Sequence, residues 1–190
     1  FAGTGQASPS GKPGLAVKSP LLRPAIVAKG IHGDIFAVES YGNGLHIVNI
    51  NSKGQLTPFA GNALAGTGGN GGQALNASFI SIRAIAVDSS GNLFIADRSN
   101  RYIRKVNANG IISKVAEKNW GTIPGDIHPN GLTIDSSGNL FVSDSGTGKI
   151  FKIYPNDKVE VIAGNGDFND HGDGGPALLA GIRSPGALAI

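Results

Sequence analysis

The sequence contains no cysteine and no methionine. Without cysteine, neither a disulfide framework nor a thiolate metal site can form, although that absence does not fix the compartment. The lack of any methionine, an initiator included, together with an opening that falls inside a motif, points to a processed or partial piece of a longer product. No apolar run approaches the ~18 residues of a membrane helix, so membrane insertion is not expected, and no signal peptide with a basic start and apolar core is present. Aromatics are sparse at 6%, and 16 Lys and Arg face 13 Asp and Glu, a balance well short of a nucleic-acid footprint. Glycine, by contrast, is plentiful, at 30 of 190 residues beside 40% hydrophobics. Apolar clusters recur throughout, which excludes disorder and fits an all-β chain with many tight turns.

The organising stretch is Asp88-Ser-Ser-Gly-Asn-Leu-Phe-Ile-Ala-Asp97, which returns as Asp135-Ser-Ser-Gly-Asn-Leu-Phe-Val-Ser-Asp144, 47 positions further on. A more worn copy is Gly30-Ile-His-Gly-Asp-Ile-Phe-Ala-Val-Glu39, 58 positions before the first of these. A period of about 40 to 50 residues suits a β-propeller blade of four short strands. The expected strands are 25–28, 34–39, 44–50 and 55–60 in the first unit, and 84–87, 92–97, 102–106 and 111–116 in the second. The third has 131–134, 139–144, 149–153 and 159–163. Second strands such as Leu93-Phe-Ile-Ala96 are continuous apolar runs, as expected where both faces are covered. Third strands such as Ile103-Arg-Lys-Val106 alternate, as expected where one side meets water. Phe1-Ala-Gly3 repeats as Phe59-Ala-Gly61, which makes Phe1, Ala2 and Gly3 the closing strand of an earlier blade; Ala187, Leu188, Ala189 and Ile190 align with an opening strand. The expectation is one domain over 1–190, in units of about 1–60, 61–116 and 117–163 with a partial unit over 164–190.

These repeats, with strands such as Tyr102-Ile-Arg-Lys-Val106 and loops ending Gly174-Gly-Pro-Ala177, resemble the NHL-repeat β-propeller family. The resemblance implies an all-β fold of four-stranded NHL-type blades, three complete and with partial strands at both ends. Because the family closes its ring with about six blades, three units leave edges that something must cover.

Four groups of residues are candidates for chemistry. Asp97 and Asp144 close their second strands, with Glu39 in the equivalent place; such carboxylates either accept N–H bonds from the following turn or face the channel and bind a cation. His128-Pro-Asn130-Gly-Leu132 enters an innermost strand and is similar to the Asn-Gly-Leu segment of gluconolactonase-type enzymes, in which the Asn coordinates a divalent metal, and to His-bearing entries of peptide-amidating lyases. His128, Asn130 and Asp144 are therefore the candidate metal ligands. Asp167-Phe-Asn-Asp-His-Gly-Asp-Gly174 is rich in oxygen donors and is a candidate Ca²⁺ loop, though it lacks a terminal bidentate Glu. Arg98, Arg101, Arg104 and Lys105 cluster beside Tyr102, as a basic RNA-binding face would, yet other units do not extend the cluster, and a solvated blade edge is the expectation. His32, His46 and His171 stand alone and read as turn or surface residues.

No nucleophile elbow and no phosphate-loop signature occurs. The expected function is thus a non-enzymatic binding or structural module, extracellular or at the cell surface. It needs no cofactor, and its partners are proteins, either further blades or other copies of itself paired through the edge residues 1–3 and 187–190. Nucleic acid is not an expected partner. The alternatives are a fragment of a metal-dependent lyase or lactonase, using Ca²⁺ or another divalent cation, and an RNA-binding NHL domain.

Overall fold

The computed structural model describes residues 2–4, 13–120, 123 and 125–190. Three antiparallel sheets follow one another along the chain. The first contains β2 (Ile26–Lys29), β3 (Ile35–Tyr41), β4 (Gly44–Ile50) and β5 (Gln55–Ala60), extended at its outer edge by β1 (Gly14–Leu15), which pairs with β5. The second is β6 (Ile82–Val87), β7 (Leu93–Asp97), β8 (Tyr102–Val106) and β9 (Ile112–Lys114). The third is β10 (Pro129–Ile134), β11 (Leu140–Asp144), β12 (Lys149–Ile153) and β13 (Val159–Ala163). Apart from β1, the strands of each sheet run in sequence order, the meander of a propeller blade. The connection into the third blade includes a four-residue helix, α1 (Glu117–Trp120), where the sequence predicts only a loop.

The blades stack face to face, and this explains their sequence pattern. β7 is buried at all five positions because blade one covers one of its faces and blade three the other. Leu93 and Ile95 join Val38, Ile47 and Phe79 in the core between blades one and two. Phe94 and Ala96 join Leu132, Val142 and Phe151 between blades two and three. At about 1.5–3 kcal/mol for each large apolar side chain fully buried, these two seams dominate the favourable side of folding.

The Ser-Ser-Gly-Asn turns are built alike. Gly91 and Gly138 both sit at φ +80°, where a side chain would be strained. Asp88 Oδ1 accepts the N–H groups of Ser90 (3.0 Å) and Asn92 (2.8 Å), and Asp135 Oδ1 accepts those of Ser137 (2.9 Å) and Asn139 (2.8 Å). β6 and β10 carry a register shift at the same place, between Ile82 and Ala84 and between Pro129 and Gly131, which makes Arg83 and Asn130 the extra residues of equivalent bulges.

Two expected edges differ. Ala187–Ile190 pairs with no strand among the described residues, and neither do Ala2 and Gly3; Phe1 lies outside the described residues. Extended backbone becomes a strand only when a neighbour takes up its N–H and C=O groups. Gly3 instead donates its N–H to Ala16 O at 2.9 Å, ahead of blade one.

Candidate functional site

The three carboxylates at the ends of the second strands occupy one register position, opposite His46, Tyr102 and Lys149. All three are fully buried, yet each is held differently. Asp144 Oδ1 accepts the N–H groups of Gly146 (3.1 Å) and Thr147 (2.8 Å) and the Thr147 hydroxyl (2.9 Å), the turn-locking role expected of it. No ion pair involves Asp144 among the described residues. Burial outweighs the hydrogen bonds from Thr147, His128 and Gly146 and pushes its carboxyl above the ordinary range. Asp97 accepts Asn100 N at 3.3 Å and Asn100 Nδ2 at 2.6 Å, and it also meets a guanidinium, Arg104 Nη1 at 3.2 Å. Glu39 takes Leu22 N at 3.2 Å, from the segment before its blade.

His46 corrects an expectation. It lies within β4 and is 4% exposed, not on the surface or in a turn. Burial pushes its imidazole below the ordinary range, while Glu39, 3.8 Å away, pulls it back up. His32 does sit in a turn, at φ 57°, and His171 is exposed.

The other candidate metal ligands are engaged elsewhere. His128 Nε2 lies 3.1 Å from Asp126 Oδ2, and Asp126 also pairs with Arg101. Asn130 uses its amide nitrogen to donate to Pro185 O at 3.0 Å. Among the described residues no three His, Asp or Glu side chains converge in a metal-ligating group. In the 167–174 loop, Asp167 accepts Asn169 N at 3.0 Å and pairs with His171 at 3.2 Å, and Asp170 accepts Arg183 N at 3.2 Å.

One member of the basic cluster is not on the surface: Arg101 is exposed and Arg98 and Lys105 are half-buried, but Arg104 is buried. Arg104 is 0% exposed, facing inward at the register position that Val48 and Phe151 fill in the other blades. Its Nε donates to Asn70 Oδ1 (3.0 Å), Nη1 to Ser78 O (3.2 Å) and Nη2 to Gly68 O (2.9 Å), and the guanidinium stacks 4.9 Å over Phe79. Burial works against its charge, and Asp97 offsets part of that cost. Lys105 lies over Phe94, toward the other end of the blade from Arg98 and Arg101, on an open groove of about 510 Å³ between blades two and three. Sequence reasoning missed Arg104 as the anchor of loop 61–78. The available signal was a charge at a position that the other repeats fill with apolar side chains.

Comparison with known proteins agrees with this architecture. Residues 51–124 match the family model of the Teneurin NHL domain. Among solved structures, a protein of unknown function from Bacteroides thetaiotaomicron matches with a TM-score of 0.62 at 18% identity, over 86% of this chain and 41% of that one. A virginiamycin B lyase from Staphylococcus aureus gives 0.52 at 19% identity, over 73% and 40%. A gluconolactonase from Xanthomonas campestris gives 0.54 at 13% identity, over 75% and 48%. The chain therefore spans less than half the length of these three structures, and the likeness at such identities is one of fold. With three four-stranded meanders stacked on buried second strands, this chain is an array of β-propeller blades, and residues 51–124 within it are similar to the Teneurin NHL domain.

Proposed function

We propose that the chain is a non-enzymatic protein-binding or structural module that acts outside the cell or at its surface. The observation that carries this reading is the apolar end beyond β13. Phe168 (46% exposed), Leu178 (53%) and Leu179 (64%) lie on a loop that is itself tightly hydrogen-bonded. Apolar side chains presented on rigid backbone are the usual make-up of a protein contact. The Teneurin NHL match supports the extracellular setting, since that domain comes from an extracellular-region family.

The test is concentration-dependent association, read by light scattering together with binding to intact cells. The native chain should associate or decorate cells, and the double variant Leu178→Asp, Leu179→Asp should do so at least about tenfold more weakly. A chain that stays monomeric to millimolar concentration and binds no cell overturns the reading.

A second reading, a segment of a metal-dependent lyase or lactonase, is supported by the fold shared with the Staphylococcus lyase and the Xanthomonas gluconolactonase. It would use His128, Asn130 and Asp144 toward a divalent cation. Lactone hydrolysis that needs added divalent metal and is lost in His128→Ala would establish it in place of the first.

A further inference from the structure

Loop 61–78 carries the one Asn-x-Ser/Thr triplet of the sequence, Asn76-Ala77-Ser78. Such a triplet, with x other than proline, accepts N-linked oligosaccharide where it lies on accessible surface chain, so its place in the fold decides whether the spacing has meaning. That place is well defined. The loop is one of three with a common frame: Gly3, Gly61 and Gly164 each donate an N–H to the carbonyl of an alanine thirteen positions on, Ala16, Ala74 and Ala177, at 2.9, 2.8 and 2.9 Å. Each alanine starts a 3-10 turn, and the third residue of that turn is exposed in every copy: Lys18, Asn76 and Leu179. A cation, an amide and an apolar side chain all stand there, so the frame does not depend on the side chain at this position.

The bonds around Asn76 bear this out. Ala74 N–H donates to Gly110 O at 2.7 Å, and Asn76 N–H to Gln73 O at 3.0 Å. Asn62 Nδ2 holds both Asn76 O and Ser78 Oγ at 3.2 Å, and Arg104 Nη1 holds Ser78 O at 3.2 Å. The side-chain amide of Asn76 itself meets no partner among the described residues. Asn62, Asn70, Asn92, Asn100, Asn130 and Asn139, by contrast, all engage their side chains within the fold. A substituent on Asn76 Nδ2 therefore breaks no bond, and it is mounted on backbone that Asn62 and Arg104 hold in place.

The surroundings give such a substituent something to cover. Leu64 is 61% exposed, Leu75 48% and Ile80 52%. Leu75 adjoins Asn76, and Leu64 N–H donates to the Oδ1 of Asn62, the same residue that holds Asn76 O. Ile80 follows Ser78 and Phe79, whose carbonyls are taken by Arg104 and by Leu45 N–H. Exposed apolar side chains gathered on one loop mark either a contact or a liability for non-specific association. Loop 164–181 exposes Leu178 and Leu179 in the same way, but there Leu179 stands in the place of Asn76 and no acceptor triplet occurs.

We propose that Asn76 is an N-glycosylation site, and that its oligosaccharide covers Leu64, Leu75 and Ile80 and leaves Leu178 and Leu179 as the open apolar contact. In the transfer, Asn76 Nδ2 forms a bond to the anomeric carbon of the first sugar of a polyprenyl-diphosphate oligosaccharide. The bond from that carbon to the diphosphate oxygen breaks, the polyprenyl diphosphate leaves with the electron pair, and the amide gives up one proton. The inference rests on the reading that the chain acts outside the cell, because this modification belongs to exported chains.

Trypsin cuts after Lys53 and after Arg83 and nowhere between, so residues 54–83 leave the protein as one peptide that holds the triplet. In protein isolated from its own cells this peptide should carry an oligosaccharide, and peptide N-glycosidase should remove it and convert the Asn76 amide to an acid. A peptide found wholly unmodified overturns the proposal. Expression of the same chain behind a secretory leader in eukaryotic cells tells which part has failed. Modification there but not in the native protein means that the extracellular reading is wrong, whereas secreted, folded chain that stays unmodified means that the site is wrong. In that system Asn76→Gln should lose the oligosaccharide and Ser78→Thr, which keeps the hydroxyl, should retain it; an oligosaccharide that survives Asn76→Gln lies elsewhere and overturns the proposal. The covering role has its own readout. Enzymatic removal should raise the fluorescence of a dye for exposed apolar surface, and the rise should disappear in the double variant Leu64→Ser, Leu75→Ser; no rise on removal overturns that role.

Discussion

Blades two and three share strand order, turn chemistry and the second-strand phrase, yet they solve one problem in opposite ways. Each buries a carboxylate at the end of its second strand. Blade two gives Asp97 a cation, and the same cation reaches 26 to 36 positions back to tie down loop 61–78. Blade three has Phe151 in that place, a shorter incoming connection through α1, and an Asp144 that meets hydroxyl and backbone donors at Oδ1 but no cation among the described residues. The lesson is that the corner carboxylate belongs to the turn, whereas the guanidinium belongs to the long loop.

The largest effect should come from removing the cation. Arg104→Met leaves Asp97 buried without its partner and strips three bonds from loop 61–78, a loss of about 3–5 kcal/mol. Phe151→Met keeps an apolar side chain of similar size and should cost less than about 1.5 kcal/mol. Urea midpoints at unchanged slope measure both. Equal losses would mean that the arginine does no more than fill space.

The carboxylates themselves give the next contrast. Asp97→Asn should destabilise by about 2 kcal/mol at neutral pH, because it leaves Arg104 as a buried cation without a counter-charge. Asp144→Asn keeps an acceptor for Thr147 while removing a buried charge, so it should be neutral or stabilising. The sign of the pH dependence follows from burial. The folded Asp144 carboxyl is held above its ordinary value of 3.8, so the folded chain binds this proton more tightly than the unfolded chain does. Its contribution is greatest below that ordinary value and is lost as pH rises through the raised one. Relative to Asp144→Asn, the native chain should therefore lose stability from about pH 4 upward. A flat difference across that range would show that the carboxyl is not desolvated.

Much of this was legible because blades are local. Apolar runs such as Leu93-Phe-Ile-Ala96 placed the buried second strands, and the Ser-Ser-Gly-Asn turns fixed the hairpins, with strand ends mostly within one or two positions of those observed. What stayed hidden depends on distant chain. Arg104 reads as a solvated residue of an alternating strand until loop 61–78 is folded over it. His46 reads as a lone polar residue until blade one closes around β4. The candidate metal ligands looked open because Pro185, which occupies Asn130, is 55 positions away in sequence. The loop repeat was half visible: the match of Gly174-Gly-Pro-Ala177 to Gly71-Gly-Gln-Ala74 could be read, but not which alanine N–H groups find a carbonyl.

The smallest effect tests where the two blades should not differ. Asp88 and Asp135 each cap a turn through two backbone N–H groups, and each also holds an Asn amide, Asn92 at 2.6 Å and Asn139 at 2.7 Å. Those bonds to Asn139 hold the Asp135 carboxyl below the ordinary range. The stability it contributes is therefore present above the ordinary value of 3.8 and is lost as pH falls through the lowered one, opposite in sense to Asp144. Asp88→Ala and Asp135→Ala should lower the melting temperature slightly and by the same amount, since neither turn touches the arginine or the long loop. If Asp88→Ala cost distinctly more, the influence of loop 61–78 would extend through β8 to the far end of blade two. The contrast between the blades would then be a property of the whole sheet rather than of one side chain.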